Sequence, residues 1–255
     1  MKVVISGKGG SGKSTILALF ARQYANQGKR VLVIDTDESN TGLNQQLGMD
    51  TPPDLMKYFG GKKKVTDKIM SSLSDHSSVN FFQNNTSTSN IPFEYITENG
   101  RIKLVSIGKI HSFGEGCACP MGVLARQFLS GLHLQKDEIV LTDTEAGIEH
   151  FGRGIEEGAD LIIMILDPSY ESVLLADKVA DMTEIRTPLY YILNKTDLAL
   201  GSRLRERITH PEKIIGEIPH IPAIISAGLD GRVIDIDLPE IEQIIDHLSE
   251  LKIGS

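Results

Sequence analysis

Gly7-Lys8-Gly9-Gly10-Ser11-Gly12-Lys13-Ser14-Thr15 fills every position of the pattern G-x-x-x-x-G-K-[S/T]. It follows an apolar run, Val3-Val4-Ile5, and leads into helical periodicity at Ile16, Leu17, Phe20 and Tyr24. A strand, a glycine loop and a helix in that order is the context in which this pattern binds phosphate. Glycines let consecutive backbone N–H groups turn toward one anion, and the helix adds the positive end of its dipole. On this reading Gly9, Gly10, Ser11, Gly12 and Thr15 cradle a phosphate chain. Lys13 reaches the terminal phosphates and the Ser14 hydroxyl holds Mg²⁺.

Working outward, unbroken apolar runs recur at Val3–Ile5, Val31–Ile34, Lys103–Ile107, Ile139–Leu141, Leu161–Leu166, Leu189–Leu193 and Ile214–Ile218. Strands of this kind are covered on both faces, as in a parallel sheet. Helical periodicity lies between them, with Gly28 ending the first helix and Pro239 opening the last. The fold class expected is α/β: a single domain over 1–255, with a doubly wound, mostly parallel sheet flanked by helices. Residues 71–90, rich in Ser, Asn, Thr and Asp, read as a mobile polar surface excursion. Phe93–Ile96 and Ile102–Ile107, around Asn99-Gly100, read as an antiparallel hairpin.

The chain has 255 residues, a formal charge of −8 and two cysteines. An acidic chain argues against a nucleic-acid partner, whose phosphates want a basic face. Lys62-Lys63-Lys64 is the only basic run and reads as a solvated helix start. No apolar run reaches the ~20 residues that span a bilayer, so no membrane partner is expected. Met1-Lys2 leads directly into a strand, which leaves no room for a secretory leader. The expected location is cytoplasmic.

Further acids and amides fall at strand ends. Asp35 and Asp37 follow Val33-Ile34, and Asp143 closes Leu141-Thr142. Asp143 is expected beside Mg²⁺ with Ser14. Asn194-Lys195-Thr196-Asp197 can brace the phosphate loop and read a purine edge. N-K-x-D also reads guanine in GTPases, so the base stays open, with ATP favoured. Glu145, in Asp143-Thr144-Glu145-Ala146-Gly147, is expected to face outward, because an added acid repels a terminal phosphate.

The second lysine, Lys8, makes the loop resemble the deviant phosphate loop shared by nitrogenase iron protein, the Min cell-division ATPase and arsenite-pump ATPases. The resemblance implies a homodimer in which Lys8 reaches the partner copy's nucleotide, with Lys13, Asp37 and Asp143 completing the catalytic set. Asp37 would position the attacking water.

Gly114-Glu115-Gly116-Cys117-Ala118-Cys119-Pro120-Met121-Gly122 forms a C-x-C loop at 114–122. Two thiolates fill half of a four-coordinate shell, and two loops meeting on a dimer axis would complete one Ni²⁺ or Zn²⁺ site. His111 and His150 are set aside as ordinary polar residues. With this loop, the motifs IDTDESN, DTEAGIEHFGRG and DPSYES are similar to those of the CooC-type accessory ATPases. That resemblance implies an ATP-driven metallochaperone with Cys117 and Cys119 as metal ligands. Its client would be carbon monoxide dehydrogenase or acetyl-CoA synthase. Two rivals keep the ATPase: a Min/Par-type positioning ATPase, and an iron–sulfur electron-transfer ATPase like nitrogenase iron protein.

Overall fold

The computed structural model describes residues 1–74, 79–82, 86–110, 119–148, 151, 154–182 and 187–251. The strands are β1 (Lys2–Gly7), β2 (Arg30–Asp35), β3 (Thr86–Ser87), β4 (Thr97–Asn99), β5 (Ile102–Ser106), β6 (Leu132–His133), β7 (Glu138–Asp143), β8 (Leu161–Leu166), β9 (Leu189–Thr196) and β10 (Ile214–Pro219). Eight of them form one sheet in the order β10-β9-β8-β1-β7-β2-β5-β4. Every pair in it is parallel except β4–β5. β1 lies at the centre: Val3 is opposite Leu141 on β7 and Leu161 on β8.

The helices are α1 (Lys13–Asn26), α2 (Leu43–Gln46), α3 (Gly61–Ser74), α4 (Cys119–Gly131), α5 (Tyr170–Ala180), α6 (Leu198–Arg207), α7 (Pro222–Leu229) and α8 (Pro239–Glu250). Because side chains alternate along a strand, β1 sends Val3 and Ile5 to one face and Val4 to the other. Val3 and Ile5 pack with Leu17 and Phe20 of α1 and Ile245 of α8. Val4 packs with Leu124 and Phe128 of α4. Burial on both faces is why these strands read as continuous apolar runs; each fully buried Ile or Leu contributes roughly 1.5–3 kcal/mol. The result is the single α/β domain the sequence predicts, with a mostly parallel sheet flanked by helices.

Two local expectations change. The hairpin is there, but its first strand is only Thr97–Asn99, with Asn99 opposite Ile102. Phe93–Tyr95 forms a turn of 3₁₀ helix instead, as Pro92 just before it favours. The described residues of 71–90 are also better anchored than the composition suggests. α3 runs to Ser74, Phe82 lies 5.0 Å from the Phe128 ring, and Phe81 lies 5.4 Å from Phe59. The buried Thr88 hydroxyl donates to Glu138 Oε1 at 2.5 Å. Two aromatic anchors and one buried hydrogen bond outweigh a polar average.

Candidate nucleotide site

The glycine loop sits at the carboxyl end of β1, between β8 and β7, and runs into α1. Gly12 has φ +103°, and a Cβ there would lie 2.3 Å from Asn194 Nδ2. Gly7 has φ +146°, and its Cβ would meet the Ile165 carbonyl at 2.5 Å. Only glycine fits either place.

Two residues at the carboxyl end of β9 brace this loop from outside. Asn194 Nδ2 donates to the Ser11 carbonyl at 2.8 Å, and Lys195 Nζ donates to the Gly10 carbonyl at 2.7 Å. Lys195 adopts φ +60°, the only positive value for a non-glycine among the described residues. Such a conformation costs energy and is kept where the surroundings demand it. Asp197 caps α6 by accepting from Leu200 N–H at 2.8 Å. We therefore expect Asp197→Ala to lower stability by about 1 kcal/mol through the lost cap. It should leave the relative affinity for ATP and GTP unchanged, which competition binding of the two nucleotides measures.

Lys13 is buried, and its ammonium lies 3.4 Å from the Lys8 carbonyl. The Ser14 hydroxyl donates to Asp143 Oδ2 at 2.6 Å. Asp143 is fully buried, and its Oδ1 has no hydrogen-bond partner among the described residues. Burial pushes its carboxyl up to about 6, against the pull of Ser14 and Lys13. A buried carboxylate oxygen without a partner beside a serine hydroxyl is a hard-oxygen pair that suits Mg²⁺, so these two residues fit the ion.

Asp37 behaves differently from Asp143. Its Oδ1 accepts from Ser39 N–H at 2.9 Å, Ser39 Oγ at 2.7 Å and Asn40 N–H at 3.2 Å. The carboxylate shapes the turn that follows β2. The same turn is held from below by Lys109, which the sequence reading passed over. Its buried ammonium donates to Asp35 Oδ2 at 2.6 Å and to the Asp37 and Asn40 carbonyls at 2.5 Å each. Burial pushes Asp35 up to about 7 even with Lys109 beside it. Asn40, also passed over, directs its amide to Ser14 Oγ at 2.7 Å. A lone lysine in Ile107-Gly108-Lys109-Ile110 carries no motif; the only signal was its place just after an apolar strand.

Lys8 lies at the rim, 31% exposed, with its ammonium 3.3 Å from Asp167 Oδ2. Asp167 also accepts from Ser169 Oγ at 2.8 Å and from Ser172 Oγ. Burial works to raise this carboxyl, but those hydroxyls and Lys8 together hold it below the usual carboxylate range. Gly9 approaches Ala146 of the loop after β7, and Gly147 N–H donates to the Gly7 carbonyl at 3.2 Å. Of the remaining sequence candidates, Cys119 opens α4 and is exposed, while Cys117 and His111 lie outside the described residues.

A parallel sheet, a glycine loop leading into a helix, and an acid at the end of the neighbouring strand define a P-loop nucleoside triphosphatase. The chain belongs to the CobQ/CobB/MinD/ParA nucleotide binding domain family, whose model matches residues 2–234. It is 45% identical over 251 residues to an uncharacterized ATP-binding protein of Methanocaldococcus jannaschii, covering 98% of this chain and 100% of that one. It is 33% identical over 236 residues to the carbon monoxide dehydrogenase accessory protein CooC of Rhodospirillum rubrum, covering 91% and 88%. Among solved structures, the septum site-determining protein MinD of Pyrococcus horikoshii, complexed with Mg-ADP, matches with TM-score 0.67 and 15% identity, covering 98% of this chain and 96% of that one. A ParA family ATPase of Chlorobium tepidum matches with TM-score 0.63 and 18% identity, covering 98% of each.

These findings correct the metallochaperone expectation. The family model is one of CobQ, CobB, MinD and ParA, and the matching structures named above are of the MinD and ParA type, not of nickel chaperones. Among the described residues, no group of three or more His, Cys, Asp or Glu is placed to hold a metal ion. The metallochaperone role and its carbon monoxide dehydrogenase or acetyl-CoA synthase client therefore fall, while Cys117, one half of the Ni²⁺ or Zn²⁺ pair expected with Cys119, lies outside the described residues. The exclusion of a nucleic-acid partner, which rested on net charge, goes with them, and so does that of a membrane partner, since lacking a spanning run does not bar docking on a membrane surface. Net charge sums a whole surface, whereas a polyanion reads a local patch. Among the described residues no helix is long and apolar enough to cross a membrane.

Proposed function

We propose that this chain is an ATP-hydrolysing positioning switch of the MinD/ParA type, whose ATP-bound form self-associates and docks on an extended anionic surface. The observation that carries the reading is Lys8: a second lysine at the mouth of a complete phosphate loop, kept at the rim by Asp167 rather than turned into its own loop. From there it can serve a nucleotide held by another copy. The ATP-binding relative and the MinD and ParA folds support the same reading.

In this scheme Lys13 neutralises the terminal phosphates and the loop N–H groups orient them. Ser14 and Asp143 would hold Mg²⁺, which would supply positive charge to offset that of the phosphates. Asp37 keeps the turn after β2 in shape beside the attacking water. Asn194 and Lys195 keep the glycine loop rigid. Lys8 leaves Asp167 to stabilise charge that develops on the partner copy's nucleotide. ATP is made and held inside cells, which fits a cytoplasmic location.

Arg203 and Arg207, exposed on α6, flank a groove shared with Pro168 and Tyr170 and offer local positive charge. Co-sedimentation with duplex DNA, and separately with anionic lipid vesicles, tests the reading. Pelleting with one of them in a non-hydrolysable ATP analogue, lost in ADP and weakened by salt, is expected. No nucleotide-dependent pelleting with either would overturn it.

A further inference from the structure

Asn40 bridges the turn after β2 and the residues suited to Mg²⁺, and its orientation is fixed by its neighbours. Its Oδ1 accepts from Gly42 N–H at 3.0 Å. An N–H can be satisfied only by the carboxamide oxygen, so the NH₂ end must face the other way. There it donates to Ser14 Oγ at 2.7 Å and comes within 3.5 Å of Asp143 Oδ2. Ser14 in turn donates to Asp143 at 2.6 Å, so the bonds run in one sense from amide to hydroxyl to carboxylate. The backbone beneath is held firmly. An ammonium has three donors, and Lys109 directs them to Asp35 Oδ2, the Asp37 carbonyl and the Asn40 carbonyl.

A hard cation binds oxygen lone pairs and is repelled by N–H donors. Ser14 Oγ keeps a second lone pair, but the Asn40 NH₂ sits against both Ser14 Oγ and Asp143 Oδ2, in the space a cation shared by those two oxygens would take. We propose that the Asn40 carboxamide and Mg²⁺ are alternative occupants of the Ser14–Asp143 pair, so that metal entry displaces Asn40 and carries the metal's arrival into the turn after β2. Because Lys109 pins the backbone, the displacement is one of the side chain. The inference rests on the nucleotide reading of this site and deepens it: Asn40 becomes the residue that makes the turn sensitive to metal.

The test is calorimetric binding of ADP in Mg²⁺ and in EDTA, for the wild type and Asn40→Ala. The quantity read is the ratio of the two affinities, which reports metal binding without turnover. Removing a competing neutral hydrogen bond should raise that ratio about 2- to 10-fold. Affinity in EDTA should stay at the wild-type value, which also reports an intact fold. Asn40→Ser, whose hydroxyl stops short of Ser14, gives the same reading should the alanine variant be unstable. An unchanged or lowered ratio would overturn the competition, since a side chain that helps hold the metal lowers it when removed. Loss of all ADP binding in the wild type would overturn the nucleotide reading and the competition with it.

Discussion

Lys13→Ala is expected to abolish nucleotide binding. The lysine is buried at the start of α1, with its ammonium over the loop that would hold the phosphates. Each charge-assisted contact it makes to a phosphate is worth about 1.5–3 kcal/mol. Two such contacts imply a loss on the order of 100-fold or more in affinity. Equilibrium binding of a fluorescent ATP analogue measures it. Affinity within a few-fold of the wild type would mean that the phosphates lie elsewhere.

The expected result for Lys8→Ala is the opposite in binding and as severe in turnover. The side chain faces Asp167, and its removal leaves the loop's own donors in place. The variant should bind ATP normally. A charge supplied from a partner to a transferring phosphate is worth on the order of 10³-fold or more in rate, so hydrolysis should fall by about that factor. Self-association in a non-hydrolysable analogue should be lost as well, as sedimentation velocity measures. Wild-type turnover and assembly would remove Lys8 from the proposed mechanism.

Much of the sheet was legible because parallel strands buried on both faces leave unbroken apolar runs. The end of each run also gave the place of the glycine loop, of Asp143 and of Asn194. What stayed illegible has no local signal. Phe81 and Phe82 are two rings in a polar stretch, and Phe59 and Phe128, distant in sequence, give them a surface to cover. Asn40 is one of three small polar residues in Ser39-Asn40-Thr41, singled out by its contact with Ser14. Lys109 acquires meaning only when β5 lies beside β2 and its ammonium meets Asp35. The metal reading went wrong from a different cause. A C-x-C pair is a short pattern whose ligand count had to be completed by an assumed second copy, whereas the phosphate loop is complete within one chain.

The central place of β1 also bears on how the chain acquires its structure. Val3, Val4 and Ile5 leave a ribosome long before their partners on either side, Leu141–Asp143 and Leu161–Ile163. Until those distant strands are made, β1 has both edges unpaired. Closing such long loops slows folding and exposes apolar strands to wrong pairing. The glycine loop, though made long before its braces, cannot be rigid until they arrive, because Asn194 and Lys195 come later still. Nascent chains released before β8 should therefore be protease-sensitive and dependent on chaperones, and competence to bind a phosphate chain should emerge late in synthesis.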